Sequence, residues 1–311
     1  MGRGPRQCGG SEINVGVLWS TVFMTPRRLL LVHAHPDDEV TGTGATIARY
    51  AAEGVPICLV TCTRGERGEV VAEDLAYLRT AGPEALAKYR EGELATALAE
   101  LGISKHVWLG GAGRWWDSGM IGTPDNDDPK SFYRADPADT LRAMVEVLRT
   151  ERPTVVVTYD ENGGYGHPDH IQAHRVTMAA IGPAADPGYA PELGEPWQVS
   201  KVYWAVIPRE AVLRMAEEAG FEIADDMPGV PDDVITTRID GQDKLAVKLA
   251  ALRVYRSQVN LDEGFFAAFV HRPEFGIEHF QLVVGERGGS GATPQGWEDD
   301  LFAEPVAGAH T

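Results

Sequence analysis

Short apolar runs alternate with longer segments of helical periodicity along this chain, and this alternation limits the fold more than any other feature of the sequence. Each apolar run is bounded by polar residues, which is the pattern of a strand buried on both faces of a parallel sheet. The predicted strands are residues 29–35, 55–63, 106–109, 154–159, 202–207 and 280–284. The predicted helices, several marked by Pro or Asp at the start or Gly at the end, are residues 41–53, 83–101, 137–151, 168–181 and 241–257.

Strands that alternate with helices form βαβ units, so the sequence predicts an α/β fold with a Rossmann-like, mostly parallel sheet and helices on both faces. Ligands of such sheets bind beyond the carboxyl ends of the strands, where we expect the active site. The 311 residues suffice for one large domain, predicted at 24–285. We expect residues 1–23 to be a disordered extension and residues 286–311 to be a tail that docks in part through Trp297, Leu301 and Phe302.

The charge balance limits the partners of the chain. There are 46 Asp and Glu residues against 28 Lys and Arg residues, a net charge of −18. A surface this acidic repels phosphate backbones and anionic lipid, so we expect no nucleic-acid or membrane partner and favour a small-molecule substrate. No apolar run reaches the roughly 18 residues that a membrane helix needs, and we expect a soluble cytoplasmic protein.

Two of the predicted loops at strand ends share a His-Pro-Asp motif. The first reads HAHPDDE at positions 33–39, and the second reads GGYGHPDH at positions 163–170. Zinc favours imidazole and carboxylate ligands, and a catalytic zinc site combines three protein ligands with an open position for water. We therefore predict that His35, Asp38 and His170 hold a metal ion between the two loops.

The residues beside these ligands have chemistry suited to catalysis. Asp37 is left outside the ligand set, where a general base belongs, and His167 is placed to face a substrate. Asp169 is either a helix cap or the group that orients His167. A His-Pro-Asp sequence is also compatible with a simple helix N-cap, but its occurrence at two strand ends disfavours that interpretation. His33 remains open as an outer-shell or core histidine or as a ligand. Glu39 remains open as a residue that reaches the metal or as an acidic residue that stabilises the start of the helix.

These motifs resemble the LmbE-like (PIG-L) family of zinc de-N-acetylases. Further segments, GGAGRWWDSGM at 110–120 and YDENGGYG at 159–166, are similar to the branch that deacetylates N-acetylglucosaminyl-inositol in mycothiol biosynthesis. The resemblance is strong from about residue 28 to 206, returns at 296–298, and is weak between about 208 and 283. It implies that the substrate is 1-D-myo-inositol 2-acetamido-2-deoxy-glucopyranoside and that the products are acetate and the free amino sugar.

The resemblance also implies roles for individual residues. His167 would be the general acid or an electrostatic stabiliser oriented by Asp169, and Tyr165 would polarise the carbonyl or stabilise the oxyanion. Arg90 and Asp117 would hold sugar or inositol hydroxyls, although a helix-surface salt bridge and a loop cap are their ordinary alternatives.

Three alternatives stay open at the level of sequence. One Zn²⁺ per chain is the expected cofactor, but two His and one carboxylate also suit Fe²⁺. An amidase of mycothiol S-conjugates, from the same family, would use the same metal chemistry on a larger substrate. A metal- or sugar-binding module without catalysis is the alternative from another class, which the presence of Asp37 and His167 disfavours.

Overall fold

The computed structural model describes residues 1–2, 26–219, 229–263, 267, 269–289 and 295–305. Most of the predicted extension at 1–23 and parts of the tail therefore lie outside the described residues. Within them, the strands are β1 Leu29–His33, β2 Ile57–Thr61, β3 Lys105–Trp108, β4 Val155–Tyr159, β5 Lys201–Val206, β6 Thr237–Asp240 and β7 Ile277–Val284. The helices are α1 Asp38–Ala52, α2 Leu78–Ala81, α3 Pro83–Leu101, α4 Pro137–Glu151, α5 Gly163–Gly166, α6 Pro168–Ala185, α7 Arg209–Ala219 and α8 Leu245–Val254.

The seven strands form one sheet in the order β3-β2-β1-β4-β5-β7-β6. Strands β1 to β5 run parallel, and β7 pairs antiparallel with both β5 and β6. Strand β1 lies between β2, the next strand in the chain, and β4, so the direction in which strands are added to the sheet reverses at β1. This reversal opens a crevice beyond the carboxyl ends of β1 and β4, the usual ligand site of such sheets.

Helices cover both faces of the sheet, as the alternating pattern predicts. All five residues of β1 are buried, with Leu29 and Leu31 in one core and Leu30 and Val32 in the other. The first core packs against α1, α3 and α8, and the second against α4 and α6. The predicted fold class is thereby confirmed.

Several predicted helix ends are confirmed by their caps. Asp136 accepts hydrogen bonds from the backbone N–H groups of Ala138 and Asp139, and Pro137 is the first residue of α4. Gly102 ends α3 with a φ of 78°, a left-handed conformation that glycine adopts at little cost.

The second half of the chain departs from the prediction. Strand β6 and helix α7 were absent from the predicted elements, and β7 begins at Ile277 rather than at residue 280. The helix predicted at 241–257 is a 3-10 turn followed by the shorter α8. No helix among the described residues is both long and apolar enough to cross a membrane.

Candidate active site

The three predicted metal ligands meet in the crevice between β1 and β4. His35 follows β1 by two residues, Asp38 begins α1, and His170 lies in the first turn of α6. His35 Nδ1 and His170 Nε2 each lie 3.3 Å from the same carboxylate oxygen, Asp38 Oδ2. Ring nitrogens of His35, His167 and His170 lie within 4.8 Å of one another, so a compact cluster of candidate ligands is present.

The hydrogen bonding of His170 fits a metal ligand. Its Nδ1 lies 3.1 Å from the carbonyl oxygen of Gly163, which only accepts, so Nδ1 carries the proton. Nε2 then has a lone pair, and this buried atom has no hydrogen-bond partner among the described residues. A lone pair that faces the Asp38 carboxylate at 3.3 Å is unfavourable unless Nε2 takes up a proton or a metal cation lies between the two groups. The arrangement suits a bound metal ion.

The electrostatics of the cluster also favour a cation. Burial opposes the charged form of His35, yet Asp117, Asp169 and Asp38 together raise its pKa well above the ordinary value. Burial likewise opposes ionisation of Asp38, but His170 and His35 hold the pKa of Asp38 well below its usual range. The carboxylates thus create a negative field that a metal ion could neutralise in place of a proton.

Asp37, the predicted base, occupies a strained position at the start of α1. Its φ is 106°, which is rare for a residue other than glycine and is often found at functional sites. Its backbone N–H donates to Glu39 Oε2 at 3.0 Å, and its Oδ2 accepts from Arg90 Nη2 at 3.1 Å. Burial raises the pKa of Asp37 to about 7 despite the opposing charge of Arg90. That value suits a general base near neutral pH.

Arg90 is buried rather than placed on a helix surface. Besides Asp37, it donates to the carbonyl oxygens of Gly65 at 2.9 Å and Pro36 at 2.5 Å. A Cβ on Gly65 would collide with the guanidinium, and the residue has a φ of 71°, so glycine suits this close approach. The contacts of Arg90 therefore hold the loop that carries Asp37.

Asp117 lies beside the cluster and also caps its own loop. Its Oδ1 is 3.7 Å from His35 Nε2 and accepts from Gly119 N at 2.8 Å. Its Oδ2 accepts from Arg67 N at 3.3 Å. The loop-cap alternative is therefore observed, at a location that also adjoins the site.

Asp169 hydrogen-bonds to His167 through its backbone N–H, whereas its carboxylate bonds to other groups. The carboxylate of Asp169 faces His35 Nε2 at 3.1 Å and accepts from Ser118 N at 2.8 Å. It is the backbone N–H of Asp169 that donates to His167 Nδ1, at 3.1 Å. Burial, together with His35 and His170, lowers the pKa of His167 to about 3, so the ring is neutral with its proton on Nε2.

Tyr165 covers the cluster from the short loop of α5. Its ring centroid lies 4.9 Å from that of His170 and 6.1 Å from that of His167. The side chain is about half exposed, at 52%, so it stands at the mouth of the site rather than in its floor.

Ser118 and Tyr159 touch the site but receive no role in the sequence prediction. Ser118 donates through both its backbone N–H and its hydroxyl to Asp169, and Tyr159 donates to Asp38. Both lie in segments that carry the family resemblance, and Tyr159 ends a buried strand directly before the second loop. A hydroxyl at the end of an apolar strand is the signal that could have identified it.

Fold and site together define an α/β enzyme whose buried His/Asp cluster fits a metal ion beside a candidate base. A family profile described as PIG-L, GlcNAc-PI de-N-acetylase, matches residues 30–181. The 1D-myo-inositol 2-acetamido-2-deoxy-alpha-D-glucopyranoside deacetylase 2 of Saccharopolyspora erythraea is 61% identical over 275 residues, which cover 88% of this chain and 99% of the relative. A deacetylase of the same substrate name from Geodermatophilus obscurus is 50% identical, covering 90% and 99%.

A solved structure, the N,N'-diacetylchitobiose deacetylase from Pyrococcus horikoshii, has a TM-score of 0.60 and covers 83% of this chain and 84% of its own. At 21% identity it supports the fold alone. The chain belongs to the PIG-L family of de-N-acetylases, which confirms the resemblance seen in its motifs, and it is a hydrolytic N-deacetylase.

Proposed function

We propose that this chain removes the acetyl group from 1D-myo-inositol 2-acetamido-2-deoxy-α-D-glucopyranoside and releases acetate and the free amino sugar for mycothiol biosynthesis. The observation that carries the proposal is the unpartnered Nε2 of His170, which faces Asp38 and lies in one cluster with His35, in the crevice that also holds Asp37. The substrate is taken from the names of relatives that match nearly the full length of the chain.

The proposed ligands of the metal are His35, Asp38 and His170, and the proposed metal is Zn²⁺. Two imidazoles and one carboxylate are a usual ligand set for catalytic zinc. When bound, the metal would polarise the amide carbonyl and lower the pKa of a coordinated water toward ~7.

Asp37 is the proposed general base. Arg90 holds its carboxylate, and the bond from its backbone N–H to Glu39 holds its main chain. The carboxylate accepts the proton of the attacking water. The proton then passes to the leaving nitrogen as the C–N bond breaks. This cycle leaves Asp37 ionised for the next turnover.

His167 and Tyr165 are the proposed stabilisers of the tetrahedral oxyanion. Because His167 Nδ1 is occupied by the N–H of Asp169, the neutral ring offers its Nε2–H as a donor. This favours the electrostatic role of His167 over that of an acid that must first be protonated. Asp169 acts through its backbone on His167 and through its carboxylate on His35.

Arg90 and Asp117 have different relations to the substrate in this proposal. Asp117, beside His35, is retained as a partner of sugar hydroxyls. Arg90 is 2% exposed and bonded to Asp37 and two carbonyls, which supports a role in positioning the base ahead of a direct sugar contact.

The proposal is tested by acetate release from the named substrate with the Asp37→Asn variant. Asn keeps the size of the side chain and tolerates the positive φ, but it cannot take a proton. We expect the variant to retain its metal and to lose about 10²- to 10⁴-fold in kcat. Asp136→Asn, at the N-cap of α4 outside the site, is the matched control and should have the wild-type rate.

Two results would contradict the proposal. Deacetylation by Asp37→Asn at the wild-type rate would remove Asp37 as the base. A wild-type chain that cleaves a mycothiol S-conjugate but leaves the acetylated amino sugar intact would assign the site to the amidase reaction instead.

A further inference from the structure

Tyr159 contacts two of the three proposed metal ligands at once. It is the last residue of β4, and its hydroxyl donates to Asp38 Oδ2 at 2.8 Å. Its ring stacks on His170, with centroids 4.2 Å apart and planes 23° from parallel. The side chain is 8% exposed, so both contacts are shielded from water.

The hydrogen bonds around the phenol fix the direction of its proton. The backbone N–H of Ala34 can only donate, and it reaches the phenol oxygen at 3.0 Å. An ionised carboxylate can only accept, so the single proton of Tyr159 belongs to Asp38. His33 Nδ1, 3.2 Å from the same oxygen, must then donate to it. The other ring nitrogen, Nε2, is left as an acceptor 3.0 Å from Thr43 Oγ1, whose hydroxyl also lies 2.9 Å from the carbonyl oxygen of Glu39. A chain of polar groups thus ends on Asp38.

The ring of Tyr159 restrains a second proposed ligand, His170. His170 is fixed at one edge by the Gly163 carbonyl, and the stacked ring of Tyr159 limits its rotation out of that plane. The same side chain therefore restrains a ligand from α1 and a ligand from α6, which are 132 positions apart in the sequence.

Packing alone does not explain this tyrosine. The rest of β4 consists of Val155, Val156, Val157 and Thr158, and a phenylalanine would fill the same space. A buried hydroxyl costs free energy unless it is bonded, and here its donor bond goes to a proposed metal ligand. Outer-shell groups that orient ligands commonly affect metal affinity by about 10- to 100-fold.

We infer that Tyr159 is a positioning residue, which holds the Asp38 carboxylate and the His170 ring in the arrangement that binds the metal. The inference rests on the metal site of the proposed function. It adds a residue on which the two His-Pro-Asp motifs depend jointly.

The test is the full chain with Tyr159→Phe, stripped of metal and titrated with Co²⁺ and with Zn²⁺ against a competing chelator. We expect the Kd for both metals to rise by about 10- to 100-fold. The visible spectrum of the Co²⁺ protein should change because a ligand is no longer held in place. At saturating metal, KM should stay near the wild-type value while kcat falls. Far-UV circular dichroism checks that the variant is folded.

Tyr203→Phe is the matched control. Tyr203 lies in the neighbouring strand β5, is fully buried and bonds through its hydroxyl to Glu298, away from the cluster. It should leave both Kd values and the Co²⁺ spectrum unchanged. His33→Phe provides a second variant, expected to weaken Co²⁺ binding in the same direction by several-fold, because it keeps a ring but removes the N–H that donates to the phenol oxygen.

The outcomes separate the inference from the function on which it rests. Wild-type affinity and an unchanged Co²⁺ spectrum in Tyr159→Phe would overturn the positioning role and leave the metal site intact. If Tyr159→Phe does not fold, wild-type Co²⁺ affinity in His33→Phe would overturn it instead. A wild-type chain that binds neither metal would overturn the metal site and this role together.

Discussion

One ring nitrogen of His170 donates to the carbonyl oxygen of Gly163, and the other faces the carboxylate of Asp38. We predict that His170→Ala loses its bound metal. The ring supplies one of three proposed ligands, so its loss should weaken binding by more than the roughly 10- to 100-fold effect of an outer-shell partner. Elemental analysis of the dialysed protein measures the result.

His174→Ala is the control for that variant, since it makes the same substitution one turn later in α6. His174 Nδ1 bonds to the carbonyl oxygen of Tyr159 and is not part of the cluster. It should keep the wild-type metal content. Full metal occupancy in His170→Ala would exclude His170 from the ligand set.

For single residues, the sequence predicted which proposed ligands lie together, but it did not predict all of the contacts that their side chains make. His35, Asp38 and His170 come together because their loops follow β1 and β4, which are adjacent parallel strands. The sequence placed both loops at carboxyl ends of strands, where ligands bind, but the adjacency of the two strands is seen only in the structure. The contact of Asp169 with His35 spans 134 positions, and that of Tyr159 with Asp38 spans 121. Such contacts depend on the tertiary direction of each side chain, which local pattern does not contain.

The loop between β4 and α6 places His170 through a close approach of backbone to helix. Gly163 has a φ of 64°, and a Cβ there would lie 2.6 Å from the His170 Cβ and 2.7 Å from Ile171 N. We predict that Gly163→Ala pushes the loop away from α6, weakens metal binding by at least about tenfold and lowers the free energy of unfolding. Chelator competition and urea denaturation measure the two effects.

The Gly166→Ala variant distinguishes the effect of backbone strain from the effect of the steric clash at Gly163. Gly166 has a φ of 87° in the same loop, and an added Cβ would meet no atom within 4 Å. It should lower the free energy of unfolding by about 1–2 kcal/mol, the usual cost of a left-handed alanine, and leave metal affinity close to wild type. Equal metal affinity in the two variants would show that the close approach at Gly163 is unimportant.

The elements that the sequence predicted are those with strong local signals. Strands β1 and β4 are continuous apolar runs, and α3 and α4 have Pro at the start and a left-handed residue at the end. Strand β6 has four residues, Thr-Arg-Ile-Asp, of which one is strongly apolar, and it lies at the sheet edge. Its pairing with β7 gives it order that its own sequence does not indicate.

The last described segment joins parts of the molecule that are distant in sequence. Glu298 is buried, and its carboxylate accepts from Lys201 Nζ at 2.8 Å, Thr237 Oγ1 at 2.7 Å and Tyr203 OH at 3.1 Å. Its backbone pairs with Thr236 and Arg238. Beside it, Leu301 is fully buried in the core that α1 and α8 share. Residues of the tail therefore hold β5 and β6 together.

The buried pair of Lys201 and Glu298 should contribute to the stability of the whole molecule. We predict that Lys201→Met destabilises the protein when Glu298 is present and stabilises it when Glu298 is replaced by Ala. In the wild type, Lys201→Met leaves a buried carboxylate without its ammonium and should lower the free energy of unfolding by about 3–5 kcal/mol. In a Glu298→Ala background the same change removes a buried ammonium that has lost its carboxylate partner, and it should raise the denaturation midpoint.

The exposed pair of Arg142 and Glu192 is the comparison, and Glu192→Ala should leave the midpoint near the wild-type value. Urea denaturation of all four members of the cycle measures the coupling, and an equal loss from Lys201→Met in both backgrounds would show that the pair does not hold the tail to the sheet.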